Sequence, residues 1–151
     1  MSVTPRKIFF YGAAFVCGLA GTLFVLREVT VPLTTSNLAE AHGRWESAAI
    51  RDYDLTYRMH GADYHVQIRS DIVTDARMNG ESLYSADLGL YAMKGLFAVL
   101  KMELENAADA NPRPTMRVRF DPTDGHLMRY VRGKGALGRS TSIEVKTLTP
   151  R

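Results

Sequence analysis

An uncharged, apolar run near the N-terminus constrains this chain more than any other feature. The run begins at Ile8 and ends at Leu26, so it contains 19 residues without a charged side chain. A helix rises about 1.5 Å per residue, so this length roughly matches the hydrocarbon core of a bilayer, which is about 30 Å thick. A helix can cross lipid because it satisfies its own backbone hydrogen bonds. The run therefore predicts one transmembrane helix over residues 8–26.

The charges on either side of this run predict its orientation. Arg6 and Lys7 precede it, whereas only Arg27 follows closely, with Glu28 beside it. Basic residues next to a membrane helix favour the cytoplasmic side. We therefore expect residues 1–7 in the cytoplasm and the C-terminal domain outside it, in a single-pass protein of a bacterial inner or cell membrane.

Two other interpretations of the apolar run stay open. Residues 18–20 (Gly-Leu-Ala) form an acceptable cleavage site for a signal peptide, although the apolar run continues beyond them. Cys17 could carry the lipid of a lipoprotein, although Val16 fits poorly at the position before it. All three interpretations place the following domain in the same compartment, the periplasm or the cell exterior.

The rest of the sequence predicts one small domain. Beyond the predicted anchor and a linker over residues 27–37, about 115 residues remain, which is enough for a modest core. The whole chain has 19 basic and 16 acidic residues, and the basic excess lies after residue 112. Cys17 is the only cysteine, so the domain has neither a disulfide nor a thiol nucleophile. We expect no nucleic-acid partner, because the compartment is wrong.

Two periodicities predict that residues 38–151 form an α+β domain. Helical spacing follows a cap at Asn37, with Trp45 facing the domain, and returns over residues 92–109. Alternation of apolar and polar residues predicts strands between and after these helices, and Asn79-Gly80 predicts a tight turn. Because short turns join the strands, we expect a mostly antiparallel sheet of about six strands with both helices on one face.

Several short motifs carry a resemblance to a known family. They are Trp45, residues 52–57 (Asp-Tyr-Asp-Leu-Thr-Tyr), residues 95–97 (Gly-Leu-Phe), and residues 118–122 (Val-Arg-Phe-Asp-Pro) before Gly125. In their order and spacing they resemble a family of small bacterial exported domains catalogued as domain of unknown function 6174. The resemblance runs from Trp45 to Leu148. It implies an exported domain on a lipid or helical anchor, and it brings no catalytic residues.

The chain departs from this family at two places. Many members have a cysteine pair near the first hairpin, where this chain has residues 59–62 (Met-His-Gly-Ala). Members tend to have Gly-Tyr-Pro after the Asp-Pro turn, where this chain has residues 125–127 (Gly-His-Leu). Any role tied to those cysteines is therefore absent.

Three histidines are the candidates for metal binding. His60 and His65 flank one predicted turn together with Asp63, and His126 lies farther along the chain. Imidazole and carboxylate groups are common zinc ligands. A small envelope enzyme or metal-binding protein that uses His60, His65 and His126 is therefore an alternative function. The plainer interpretation is that these are polar residues beside turns.

Another candidate is the run Asp121-x-x-Asp124-x-His126. Such groups could serve in general acid–base catalysis if they lined a pocket, but the same residues are also typical of an ordinary turn. The sequence has no Gly-x-Ser-x-Gly, no phosphate loop and no His-Glu-x-x-His motif. We therefore expect no enzyme, no catalytic residue and no cofactor.

The last candidate site is an arginine-rich face of the predicted sheet, with Arg58, Arg69, Arg117 and Arg119 at outward positions and Arg129 in a following strand. Near a membrane, such a face could hold anionic headgroups, an anionic envelope component or an acidic protein partner. An ordinary solvated face is the plainer interpretation. The sequence thus predicts a membrane-anchored binding or accessory domain. Membership of a larger membrane complex through small anchor residues, such as Gly18 and Gly21, is a further alternative.

Overall fold

The computed structural model describes residues 29–85, 87–133 and 140–151. Within these ranges, no helix is both long enough and apolar enough to span a bilayer. The predicted transmembrane segment over residues 8–26 and its flanking charges lie outside the described residues, as do Cys17, Gly18 and Gly21.

Two α-helices and eight β-strands form in the described part of the chain. The helices are α1 (Thr35–Ala48) and α2 (Met93–Ala108), and a 3-10 helix (Leu88–Tyr91) precedes α2. The strands are β1 (Val31–Pro32), β2 (Tyr53–Met59), β3 (Ala62–Arg69), β4 (Ile72–Met78), β5 (Glu81–Ser82), β6 (Met116–Phe120), β7 (Leu127–Arg132) and β8 (Thr141–Pro150).

The strands form one antiparallel sheet in the order β1-β6-β7-β8-β2-β3-β4-β5. This confirms an α+β domain with two helices on an antiparallel sheet. The expected number of about six strands was too low, because a two-residue strand is added at each edge. One of these comes from the predicted linker, where Val31 and Pro32 pair with β6. An edge suits Pro32, which has no N–H to donate to a second neighbour.

Helix α1 begins earlier than the sequence indicated. The N-cap is Thr34, whose hydroxyl accepts a hydrogen bond from the backbone N–H of Asn37 at 3.2 Å. In return the side-chain oxygen of Asn37 accepts from the backbone N–H of Thr34 at 2.9 Å. Asn37 is therefore the second member of a capping box, not the cap.

Three two-residue turns set the register of β2, β3, β4 and β5. Both residues of each turn have positive φ angles, which match the right-handed twist of the flanking strands. The turns are His60-Gly61 (52° and 83°), Ser70-Asp71 (51° and 65°) and Asn79-Gly80 (52° and 88°). The Asn79-Gly80 prediction is confirmed, and the first turn lies one residue earlier than the sequence indicated.

The core lies between the helices and one face of the sheet. Helix α1 contributes Leu38 and Trp45, which are 7% and 3% exposed, and the ring of Trp45 packs edge-on against Tyr53 at 5.4 Å. This agrees with the expectation that the Trp45 side of the first helix packs on the domain. Most of the remaining core residues come from α2 and from alternate positions of β2, β3, β6, β7 and β8, and the others are Leu33, Ala41, Ala76 and Ala92. The other face of the sheet therefore carries the polar side chains.

A charged outer face and an apolar groove

A row of charged residues crosses five strands on the face of the sheet opposite the helices. The cross-strand pairs are Arg119 with Arg129, Arg129 with Glu144, Glu144 with Arg58, and Arg58 with Asp63. Residues directly opposite each other in an antiparallel sheet share a face, so these five side chains lie side by side. The pairing thus brings together three of the five arginines that the sequence singled out.

The β2–β4 half of this face is internally neutralised. Arg58 makes two hydrogen bonds of 2.8 Å to the carboxylate of Asp63. Arg69 binds Asp54 at 2.8 Å, and Arg151 binds the second oxygen of the same carboxylate. These arginine contacts lower the pKa of both Asp54 and Asp63 below the ordinary range. Arg58 and Arg69 are therefore already committed to carboxylates within the domain.

The β6–β7 half of the face has a different charge balance. Strands β6 and β7 contain no Asp or Glu, whereas Arg117, Arg119 and Arg129 are on their outer side. Arg119 and Arg129 face each other directly, and like charges in that position repel. The nearest carboxylate across the ladder from Arg129 is Glu144, which already binds Lys146 at 2.7 Å. The charged side chains that these two strands contribute to the outer face are thus all basic.

Arg117 holds the incoming chain. Its Nε donates to the hydroxyl of Thr30 at 3.0 Å, and its Nη2 donates to the carbonyl oxygen of the same residue. Just after this contact, Val31 and Pro32 pair with β6. The segment that connects the predicted anchor to the domain therefore enters along the same edge as the arginines of β6 and β7.

The three candidate histidines do not come together. His60 occupies a turn, and His65 on the outer side of β3 lies 3.2 Å from the hydroxyl of Thr56. His126 precedes β7, which is three strand positions, or about 14 Å, from β3. Among the described residues, the only group of three acidic or histidine side chains close enough to hold a metal ion joins His126 to Asp121 and Asp124.

Hydrogen bonds within the chain explain why Asp121, Asp124 and His126 lie close together. A side-chain oxygen of Asp121 accepts from the backbone N–H of Thr123 at 2.8 Å. Asp124 accepts from the backbone N–H of His126 at 2.9 Å and lies 2.6 Å from its Nδ1. Both carboxylates thus stabilise the turn between β6 and β7, as in the plain interpretation of this run.

An open groove between α1 and α2 is a feature that the sequence did not reveal. It has a volume of about 430 Å³, within the roughly 300–1,000 Å³ of typical ligand pockets. Its apolar lining includes Leu38, Phe97 and Leu104, and Lys94, Lys101 and Glu105 also line it. The sequence placed Phe97 and Leu104 in an inward stripe of the second helix. The seven-residue spacing of the two lysines was visible, but the position of α1 beside them was not.

Comparison with known proteins gives no relative. The chain matches no family model, no curated protein and no solved structure.

Proposed function

We propose that this protein is a single-pass, membrane-anchored binding domain that faces the periplasm or cell exterior and has no enzymatic activity. The arginines at the β6–β7 end of its sheet contact anionic groups at the membrane surface. One observation carries this proposal. Arg119 and Arg129 lie directly opposite each other at the sheet edge where the segment following the predicted anchor is paired.

Charge and geometry support an anionic partner. A guanidinium group has five N–H donors, so two opposed arginines can both bind one anionic group in addition to contacts within the chain. Lipid headgroups with negative charge attract basic residues close to the membrane, but this attraction falls off within a Debye length of about 8 Å. Residues near the anchor are therefore those best placed to use it. Arg58 and Arg69 contribute less, because Asp63 and Asp54 already neutralise them.

The test compares two membrane compositions. The full chain is reconstituted into nanodiscs of phosphatidylcholine alone or with phosphatidylglycerol, and exposed arginines are modified with phenylglyoxal and mapped by mass spectrometry. We expect Arg119 and Arg129 to be protected only in the anionic nanodiscs, and 1 M salt to remove most of the protection. Arg58, on the same face, serves as the internal control and should react equally in both.

Two results would contradict the proposal. Equal modification of Arg129 in both membranes would contradict the proposed contact with anionic headgroups. Failure of the full chain to co-purify with the nanodisc scaffold would contradict the predicted membrane anchor. A partner protein captured from native membranes only by the full chain, and lost when Gly18 and Gly21 are replaced by Leu, would favour the alternative of a complex subunit.

A further inference from the structure

We propose that the groove between α1 and α2 binds the acyl chain of an anionic lipid drawn from the membrane that holds the protein. This inference rests on the proposed membrane anchor, but it concerns a different surface from the arginines of the sheet. The groove lies on the helix side of the domain, whereas Arg119 and Arg129 lie on the opposite face of the sheet.

The lining of the groove fits an acyl chain. Leu38 and Phe97 are buried, Leu104 is half-buried, and all three present apolar surface. Ala39 and Ala98 are exposed on the two walls, and their small side chains leave the space open. Thr35, His42 and Glu105 also line the groove, and a mainly apolar cleft of this size with several polar groups is typical of ligand sites.

Two lysines that line the groove fit an anionic head. Lys94 and Lys101 are seven residues apart on α2, so they lie on one side of the helix about 10 Å apart. Lys94 is 3.6 Å from Asp71, and Lys101 is 4.0 Å from Glu105. Contacts this long between exposed side chains hold a lysine weakly. Both ammonium groups are therefore able to turn towards a carboxylate or phosphate head.

The position of the groove identifies the membrane as the source of the lipid. Thr35, the first residue of α1, lines the groove. Thr35 lies only nine positions after Leu26, where the predicted anchor ends. Even a fully extended segment of that length spans no more than about 30 Å. One end of the groove is therefore held within reach of the bilayer surface.

The experiment uses a fatty acid that carries a photoactivatable diazirine in its acyl chain. The full chain is reconstituted into phosphatidylcholine vesicles containing this probe, the vesicles are floated, and adducts are mapped by mass spectrometry after illumination. We expect adducts on α1 and α2 residues that line the groove. A fatty alcohol with the same diazirine serves as the uncharged comparison, and we expect it to label these residues less, by about five-fold for each lysine.

Two variants separate the groove from general exposure to lipid. Ala98→Trp fills the groove from an exposed position and should abolish groove labelling, whereas Ala108→Trp, exposed on the same helix outside the groove, should not. The double variant Lys94→Gln/Lys101→Gln should label equally with the acid and the alcohol. Thermal unfolding of each variant verifies that it folds like the parent chain.

The outcomes distinguish the two proposals. Flotation without adducts on α1 and α2, or groove labelling that persists in Ala98→Trp, would overturn the groove alone. A chain that does not float would overturn the proposed anchor and the membrane as the source of the lipid. Equal labelling by the acid and the alcohol in the parent chain would overturn the role of the lysines.

Discussion

The hydroxyl oxygen of Tyr53 accepts a hydrogen bond from the backbone N–H of Met93, with 3.1 Å between oxygen and nitrogen. Both residues are buried, and Met93 is the first residue of α2. The N-cap residue of this helix is Ala92, which has no side-chain oxygen to accept such a bond. A tyrosine from β2 thus takes the place of the capping side chain and fixes the start of α2 on the sheet.

This relationship predicts opposite effects for two similar substitutions. Tyr53→Phe should lower the free energy of unfolding by about 1–3 kcal/mol, because it leaves the buried N–H of Met93 unsatisfied. Tyr57→Phe should leave stability unchanged or raise it by about 1 kcal/mol, because the buried Tyr57 hydroxyl has no hydrogen-bond partner among the described residues. Urea unfolding of both variants measures the difference. Equal losses in both would contradict the capping role.

The same tyrosine predicts how stability depends on alkaline pH. Burial raises the pKa of Tyr53 from 10.0 to about 12. A raised pKa in the folded state means that the neutral phenol stabilises the fold fully below pH 10, and this contribution is lost as the pH rises towards 12. The stability difference between the parent chain and Tyr53→Phe should therefore shrink by about 2–3 kcal/mol over this range. A constant difference from pH 8 to pH 12 would contradict the shift.

Local signals explain why part of the fold was predictable. Asn79 and Gly80 favour positive φ angles on their own, so their turn could be recognised without any distant contact. The apolar stripe of α2 is likewise a property of one segment. Strand β1 is not, because two residues form a strand only where an existing edge, that of β6, is free to pair with them. The capping bond between Tyr53 and Met93 joins residues 40 positions apart and has no sequence signature.

The candidate site was predictable to the same limited extent. Alternation along each strand predicted that Arg58 and Arg119 lie on the polar face, where the structure has them, and the sheet register adds Arg129 to the same face. Which of them is neutralised depends on register across strands, and bulges at Thr56/Tyr57 and at Arg119/Phe120 shift that register. Alternation along the strands therefore predicts the face on which an arginine lies, but it does not predict the residue that faces it across the sheet. It also does not show that Arg117 binds Thr30.

Substitutions at two glycines test how closely α1 packs on the turn before β7. A methyl group added at Gly125 would overlap the carbonyl oxygen of Ala41 in α1, and the φ angle of Gly125 is 79°. Gly125→Ala should therefore cost about 2–4 kcal/mol of stability. Gly43→Ala, in the exposed middle of α1, meets no described atom within 4 Å and should add about 1 kcal/mol. Thermal unfolding compares the two. A Gly125→Ala protein as stable as the parent chain would show that α1 is not in close contact with this turn.

Removing a carboxylate from the turn between β6 and β7 should lower stability whether or not a metal is present. Asp121 accepts hydrogen bonds from two backbone N–H groups, those of Thr123 and Asp124. Asp121→Ala should lower the free energy of unfolding by about 1 kcal/mol, because it removes these bonds from the turn. We expect the same loss with zinc present and with a chelator present. A rise in the melting temperature of the parent chain on adding micromolar zinc, absent in Asp121→Ala, would instead support the metal-binding alternative.

Replacing one arginine of the opposed pair should weaken the membrane contact without changing the stability of the domain. Arg129 is exposed and lies opposite both Arg119, which repels it, and Glu144, which attracts it. Removing its charge therefore ends a repulsion and an attraction at once, and their effects on stability oppose each other. Arg129→Gln should leave the free energy of unfolding within about 0.5 kcal/mol of the parent value. The protection of Arg119 from phenylglyoxal by anionic nanodiscs should nevertheless fall, because a single guanidinium group attracts the headgroups less strongly. Arg58→Gln is the matched control, since it removes from the same row an arginine that is paired with Asp63 within the domain. If both variants reduce the protection equally, the contact depends on the overall charge of the face and not on the pair at its β6–β7 end.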